Sequence, residues 1–315
     1  MDHGRRIDAL LEAAGLEARA SDTPGPSAGG GTTARVVRLT DAGGRPVAVA
    51  KLADASVDDR RIDAEAHVLA VLGPRHGLPV PELLARRGRD LLLRWVGDAG
   101  AGAAAGDGLH GPVLDALQRV HRVRPAGPDA APLAAWGRGT ADRTAAFERR
   151  ARRLERRLEG FLALLPPDTA ARWRPRLDRL RERHAEACRI VAALGGDRLI
   201  HGDLHRGNLR CDAAAVVLID WQQASIGHPL VDVVRWLVEH GPPDAATCRE
   251  QARTHARAVA TPPDDAALGA LLDTTTAGLV SGFGGRSPGT LRDWERSLIT
   301  HALDERGWLA THAEG

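Results

Sequence analysis

Residues 201–208 read HGDLHRGN, and this short polar segment decides how the rest of the chain is interpreted. Asp203 and Asn208 lie five positions apart in it, between two apolar segments, 198–200 and 216–219, that are predicted to be strands. Phosphoryl transfer needs a carboxylate that orients the attacking hydroxyl and accepts its proton, with an amide oxygen nearby that can bind a metal ion. A D-x-x-x-x-N loop supplies both groups, so the segment predicts a phosphoryl-transfer loop.

A further oxygen ligand follows this loop. Asp220 comes directly after the apolar run VVLI at 216–219, twelve residues beyond Asn208. A carboxylate at the end of a buried strand suits a divalent metal ion that bridges nucleotide phosphates. Because the donors are oxygens, they favour Mg²⁺ over zinc. The alternative of a metal-dependent hydrolase, which also uses HGD segments, would need further His or Asp ligands that the sequence does not place at useful spacing.

The same residues carry a family resemblance. HGDLHRGN at 201–208, IDW at 219–221 and GHPLVD at 227–232 resemble the aminoglycoside phosphotransferase family in order and spacing. The resemblance implies an α+β, protein-kinase-like fold of two lobes, a small β-rich N-lobe and a larger, mainly helical C-lobe. It also implies roles for three residues of the loop region: Asp203 as the catalytic base, and Asn208 and Asp220 as the ligands of Mg²⁺.

The resemblance extends to residues that support the site. It implies that His201 braces the loop and that Asp232 supports it structurally. Arg206 stands where the family often has proline, and His228 where aspartate is common. Neither departure removes a chemical group that the mechanism requires.

The N-terminal region is a separate line of evidence. Lys51 is the only lysine among 43 basic residues, and it follows the run PVAVA. Strand alternation places Val49 and Lys51 on one face. Glu65 shares a helical stripe with Ile62 and Leu69, where an unpaired carboxylate would be costly. In kinases a strand lysine binds the nucleotide phosphates and forms an ion pair with a helix glutamate. We therefore expect Glu65 to pair with Lys51. By the resemblance, Val49 would cover the adenine or guanine ring.

Two other segments are candidates for nucleotide binding. The stretch SAGGGTT at 27–33, with Ser27, Gly29 and Gly30, lies where the family places its nucleotide-covering loop. Glycines let backbone N–H groups approach phosphate oxygens, although a flexible surface loop is an equal alternative. The stretch LRWVG at 93–97 matches the hinge position, where the backbone of Arg94 and Val96 could bind the base. Backbone recognition leaves no side-chain code, so both ATP and GTP stay open as donors.

The predicted elements divide the chain at residue 94. Residues 1–94 are the expected nucleotide-binding N-lobe, and residues 95–315 the helical C-lobe with the catalytic loop and the acceptor site. Alternating segments predict strands, and segments with a 3.6-residue period predict helices. The expected strands span 34–40, 46–52, 81–86, 90–95, 198–200 and 216–219. The expected helices span 5–19, 56–72, 110–123, 142–163, 168–194, 230–240, 244–260, 264–280 and 289–311.

Composition restricts the class of partner. A net charge of +2 gives no reason to expect binding to nucleic acid or to an anionic membrane. The arginine-rich segment 142–183 is interpreted as a solvated helical face. Three cysteines without CxxC spacing, no signal peptide and no run of about 20 apolar residues predict a reduced, cytoplasmic protein.

The acceptor is the least determined part of the prediction. Residues 231–315 carry 12 acidic residues against 8 arginines, an excess too small to establish a pocket for a cationic drug. The leading hypothesis is transfer of the γ-phosphate of ATP or GTP to a hydroxyl of a small molecule, namely an antibiotic. One alternative is a metabolic kinase for a sugar, a choline-like alcohol or homoserine. Another is a nucleotide-binding pseudokinase scaffold, which conflicts with the joint presence of Lys51, Asp203, Asn208 and Asp220.

Overall fold

The computed structural model describes residues 3–20, 34–97, 109–135, 140–212, 215–240 and 245–285. The chain divides into two compact units. The first contains residues 1–134 and 201–225, and the second contains residues 135–200 and 226–315. The HGDLHRGN segment and the N-terminal sheet therefore belong to the same unit. The predicted division at residue 94 concerns nucleotide and acceptor binding, and it stays a prediction.

A five-stranded antiparallel sheet forms the N-terminal part of the first unit, with the strand order β1-β2-β3-β5-β4. Its central hairpin is the one predicted around the sequence DAGG, where Gly44 N donates to Asp41 O at 3.0 Å. The strands are β1 (Arg19–Ala20), β2 (Ala34–Thr40), β3 (Pro46–Ala53), β4 (Leu83–Arg87) and β5 (Asp90–Arg94).

Helix α1 (His3–Ala14) packs on one face of this sheet. Its buried residues Ile7, Leu10 and Leu11 share a core with residues from the sheet. Arg6 adds a polar contact: its Nε donates to Asp90 Oδ2 at 2.7 Å and its Nη2 donates to the Ala53 carbonyl at 2.8 Å. The sheet residues of this core are Leu39, Ala48, Ala50, Leu52, Ala85 and Leu92. The opposite face of the sheet therefore remains for the residues that alternate with them.

The helix that carries Glu65 follows β3. Helix α2 (Asp59–His67) begins three residues later than predicted, because the side chain of Asp58 caps it by accepting from Arg60 N at 3.0 Å. A π-turn (Val68–Leu72) and helix α3 (Gly73–His76) continue it past the predicted end. Pro74 has no N–H for an α-helical bond, which accounts for a wider turn before it.

The HGDLHRGN segment is followed by a hairpin that the prediction described only in part. Strand β8 (Leu209–Asp212) pairs antiparallel with β9 (Ala215–Leu218), and Leu209 lies opposite Leu218. The prediction included the second of these strands but not the first. Helix α4 (His110–His121), which packs against β9, ends in the fully buried His121.

The second unit is mainly helical, as predicted. Helices α5, α6 and α9 pack against one another, and α7 packs against both α8 and α9. Arg183 of α6 donates from Nε and Nη2 to the two carboxylate oxygens of the buried Asp273 of α9, both at 3.2 Å. The helices are α5 (Thr140–Leu162), α6 (Pro167–Ala193), α7 (Leu230–His240), α8 (Ala245–Val259) and α9 (Asp265–Phe283).

Three short strands complete the description. They form a sheet with the order β6-β10-β7, in which β6 is Ala134–Ala135, β7 is Arg198–Ile200 and β10 is Ser225–Gly227. The strand at 198–200 was predicted, whereas the other two, AA at 134–135 and SIG at 225–227, were not. The predicted helix 289–311 lies outside the described residues.

Helix α9 is long and apolar enough, by length and composition, to cross a membrane. Within the described part of the chain it is the one helix that meets this test. However, 67% of its apolar window is buried inside the protein, which is the behaviour of a core helix that packs against α5, α6 and α7.

Candidate active site

The predicted ion pair between Lys51 and Glu65 is present in the first unit. Lys51 Nζ lies 2.6 Å from Glu65 Oε1 and 2.8 Å from Glu65 Oε2. It also donates to Asp220 Oδ1 at 2.9 Å, a contact between residues 169 positions apart in the chain. Three residues predicted by separate arguments therefore meet at one ammonium group. Glu65 is 1% exposed and Lys51 is 8% exposed, so the charges face each other largely out of water.

The electrostatics of this cluster favour charged forms at its centre. Burial by itself would lower the pKa of Lys51, but the carboxylates of Glu65 and Asp220 outweigh it and raise that pKa. Burial likewise opposes ionisation of Asp220, yet Lys51 lowers the pKa of Asp220 below its ordinary value. Burial raises the pKa of Glu65 above its ordinary value, although the positive charge of Lys51 opposes part of that rise. At neutral pH the cluster thus holds an ammonium ion beside an ionised Asp220, which is the charge arrangement needed to bind phosphate and metal.

His201 contacts the backbone within the HGDLHRGN segment and at Ile219. The fully buried ring of His201 contacts the carbonyl of Ile219 through Nε2 at 2.9 Å, and its Nδ1 accepts from Asp203 N at 3.3 Å. These bonds hold the backbone of Asp203, while the Asp203 residue itself is exposed. An exposed carboxylate on a fixed backbone can reach a substrate hydroxyl without a change in the loop.

Asn208 and Asp220 both lie at the open end of the β8–β9 hairpin. Ile219 N donates to the Asn208 carbonyl at 2.9 Å, which continues the ladder by one step and brings the following Asp220 close to Asn208. Asn208 Nδ2 donates to the Asp203 carbonyl at 2.9 Å, so the amide oxygen is the group that remains to act as a ligand. An amide oxygen beside a carboxylate fits Mg²⁺, a hard cation that prefers oxygen.

Asp220 has the backbone conformation of a constrained functional residue. Its φ of 63° and ψ of 64° are left-handed, and among the described non-glycine residues it is the one with positive φ. Such a conformation costs about 1–3 kcal/mol and persists where surrounding contacts enforce it. Trp221 supplies such contacts: its N donates to Glu65 Oε1 at 3.3 Å, and its indole donates to the Leu218 carbonyl at 2.8 Å. The indole also lies against the His201 ring, with centroids 4.7 Å apart.

Gly202 lies where the HGDLHRGN segment closely approaches the backbone of Gln223. It has φ of +80°, and a Cβ there would lie 2.4 Å from the carbonyl oxygen of Gln223. We expect Gly202→Ala to lower the thermal midpoint and to reduce kcat at least tenfold, because the loop must move Asp203 to relieve the contact. Differential scanning fluorimetry and steady-state transfer assays measure the two effects.

Gly44 is the matched control for this prediction. Its φ is +81°, but a Cβ there meets nothing within 4 Å. Gly44→Ala therefore carries the same conformational penalty without the close approach, and we expect it to leave kcat unchanged. Equal kcat values for the two variants would contradict the claim that the close approach at Gly202 keeps Asp203 in position.

The remaining predicted residues fall into three groups. Val49 is half-buried and lies on the Lys51 face of β3, and the backbone N of Arg94 donates to the Glu82 carbonyl at 2.9 Å. Arg94 can therefore offer only its carbonyl to a base, and Val96 follows the end of β5. Asp232 is 1% exposed in the first turn of α7, in the second unit, and its supporting role stays a prediction. Ser27, Gly29 and Gly30 lie outside the described residues.

The structure adds one residue that the sequence did not indicate. Arg210 is buried in β8, and its Nη1 donates to the carbonyls of Gly207 at 3.0 Å and Leu209 at 2.7 Å. These bonds tie down the backbone on both sides of Asn208. In an arginine-rich chain no sequence signal distinguished it from the other arginines; only its position two residues after Asn208 could have drawn attention to it.

The chain is similar in sequence to one protein family and in fold to several solved structures. A sequence model described as the phosphotransferase enzyme family matches residues 26–270. No curated protein sequence matches the chain significantly. Among solved structures, the macrolide 2'-phosphotransferase of Brachybacterium faecium is similar at 18% identity and a TM-score of 0.54, over 94% of this chain and 98% of that one.

Two further structures are similar over nearly their whole length. One is a GDP complex of aminoglycoside 2'-phosphotransferase-IIIa, with 13% identity, a TM-score of 0.57, and coverage of 97% of this chain and 99% of that one. The other is an amicoumacin kinase in complex with AMP-PNP, Ca²⁺ and Ami, with 16% identity, a TM-score of 0.52, and coverage of 97% and 93%.

These likenesses confirm the predicted α+β, protein-kinase-like fold. The match to the family model covers more than three quarters of the chain and includes Lys51, Asp203, Asn208 and Asp220. The chain belongs to the aminoglycoside phosphotransferase family of phosphotransferase enzymes, which act on hydroxyl groups.

Proposed function

We propose that this protein transfers the γ-phosphate of ATP or GTP to a hydroxyl group of an antibiotic and thereby inactivates it. The observation that carries the proposal is the contact of Lys51 with both Glu65 and Asp220, within the compact unit that also contains Asp203 and Asn208. A pseudokinase scaffold would have no need of all these groups. The proposal places the protein in the cytoplasm, where nucleoside triphosphates are available.

The nucleotide phosphates would bind at Lys51. Its ammonium group has three N–H donors, and Nζ contacts three carboxylate oxygens, two from Glu65 and one from Asp220. A phosphate oxygen that binds Nζ must therefore replace one of these contacts. The partly exposed Asp220 gives way more readily than the buried Glu65, so Glu65 keeps Lys51 in place while Asp220 turns to the metal ion.

Asn208 and Asp220 would hold Mg²⁺ through an amide oxygen and a carboxylate oxygen. When bound there, Mg²⁺ would neutralise charge on the transferred phosphoryl group. The divalent ion and nucleotide analogue in the amicoumacin kinase complex support a metal–nucleotide pair in this fold. His201 and Arg210 would keep the loop backbone fixed while the two ligands bind.

Asp203 would orient the acceptor hydroxyl and accept its proton as the phosphoryl group moves. Its exposure leaves it accessible to a substrate, and its backbone is fixed through His201 Nδ1 and Asn208 Nδ2. The leaving group is the nucleoside diphosphate, which Lys51 stabilises through its phosphates.

The antibiotic acceptor is supported by the named similar structures, which act on macrolides, aminoglycosides and amicoumacin. A mass-spectrometric screen tests it: hydroxyl-bearing antibiotics and metabolites are incubated with the protein and ATP or GTP, with Mg²⁺ or with EDTA. We expect a one-phosphate mass gain on an antibiotic, lost in EDTA. A gain only on a sugar, a choline-like alcohol or homoserine would establish the metabolic alternative instead. No gain on any compound would contradict the proposed function.

A further inference from the structure

The face of the N-terminal sheet that carries Lys51 also has several half-buried side chains. The other face packs on α1 through Leu39, Ala48 and Leu92. Because side chains alternate along a strand, the neighbours of these residues point to the face that carries Lys51. The register places Val36 opposite Lys51 and Arg38 opposite Val49. Apart from the buried Lys51 these residues are half-buried, as expected of a surface that a ligand completes.

Arg38 and Trp95 form a pair on this face. The guanidinium carbon of Arg38 lies 4.6 Å from the centroid of the Trp95 ring, within the range of a cation–π contact. Trp95 N donates to the Val47 carbonyl at 3.1 Å, so Trp95 continues β5 opposite Val47. The register places Arg38 on the Lys51 face beside Val49, and the cation–π contact places the Trp95 ring against Arg38.

The spacing along β3 suits a nucleotide. Val49 lies about 7 Å from Lys51 along the strand, at about 3.3 Å per residue. A nucleotide whose phosphates bind Lys51 and which extends along β3 would bring its base to Val49. At that position the base would lie against the Arg38–Trp95 pair.

We propose that Arg38 and Trp95 form a stacking wall for the purine base of the nucleotide donor. This inference rests on the proposed function, because it requires a nucleotide at Lys51. Aromatic rings and guanidinium groups both bind the faces of bases, and such stacking tolerates different bases. Arg38 also holds the indole in place through its cation–π contact, so the two residues act together.

Binding measurements test the wall. Isothermal titration of the Mg²⁺-containing protein with ADP, GDP and inorganic tripolyphosphate separates base binding from phosphate binding. We expect Trp95→Ala to raise the Kd of both ADP and GDP by about 5- to 100-fold, as removal of an aromatic stacking partner does. Arg38→Lys keeps the charge but loses the planar group, and we expect a rise of about 2- to 5-fold. The Kd of tripolyphosphate, which has no base, should not change in either variant.

Two variants control for effects on folding. Trp95→Phe keeps an aromatic ring and should recover most of the nucleotide affinity lost in Trp95→Ala. Arg35→Leu removes an arginine from the same strand on the opposite face, where Arg35 pairs with Leu52, and should bind ADP and GDP like the unaltered protein.

The outcomes separate this inference from the proposed function. If the unaltered protein binds ADP or GDP and Trp95→Ala binds it equally well, the wall is wrong and the proposed function stands. The stacking wall is also contradicted if the affinity for tripolyphosphate falls as much as the affinity for nucleotides, or if the variant weakens the binding of only one of ADP and GDP. If the unaltered protein binds neither nucleotide, the proposed function itself is contradicted.

Discussion

Asp203→Asn should lower kcat for phosphate transfer by about 10²–10⁴-fold, the contribution expected of a general base. The asparagine keeps the shape of the side chain but cannot accept a proton. Because Asp203 is exposed and only its backbone is bonded to His201 and Asn208, we expect the thermal midpoint to be unchanged. The Kd of ADP should also stay within a factor of two, because binding of the phosphates depends on Lys51.

The measurement is steady-state transfer to the acceptor that the compound screen identifies, together with titration of ADP. Asp8→Asn is the matched control, because it removes the same charge from an exposed position of α1, the helix on the face of the sheet away from Lys51. That variant should transfer phosphate at the normal rate. Asp203→Asn with more than a tenth of the normal kcat would reject Asp203 as the base.

The sequence located most of the candidate site because each part has a local signal. Alternation placed Lys51 on one face of β3, and the helical period placed Glu65 on the inward stripe of α2. The structure joins them at 2.6 Å. The continuous apolar run before Asp220 likewise indicated a buried strand that ends there. Alternation, helical period and apolar runs are local patterns, which a single sequence shows directly.

Other features depend on tertiary contacts and have no such signal. The bond between Lys51 and Asp220 joins distant segments, and the left-handed backbone of Asp220 follows from contacts of its neighbours. Strand β8 was missed because the segment LRCD is too short to show a period and carries a charged residue that is buried. Arg210 is buried there because carbonyl groups of the catalytic loop accept its N–H bonds, a pairing that only the folded chain creates.

The cluster around Lys51 also makes a prediction about stability. Lys51→Met should lower the free energy of unfolding of the first unit by about 3–5 kcal/mol, because it leaves Glu65 buried beside Asp220 without a positive charge. It should also reduce kcat by about 10²–10³-fold through loss of a donor to the phosphates, and raise the KM of the nucleotide. Urea unfolding followed by circular dichroism gives the first quantity, and transfer assays give the others.

The double variant Lys51→Met with Glu65→Leu distinguishes stability from catalysis. Replacing both partners of a buried ion pair with apolar groups removes the unpaired charge, so the double variant should be more stable than Lys51→Met alone. It should nevertheless remain as inactive, because neither side chain binds phosphate. If the double variant is no more stable than the single one, Glu65 is not the buried partner that the 2.6 Å contact indicates. If Lys51→Met retains normal kcat and nucleotide KM, Lys51 does not bind the phosphates, and its burial between two carboxylates serves the fold alone.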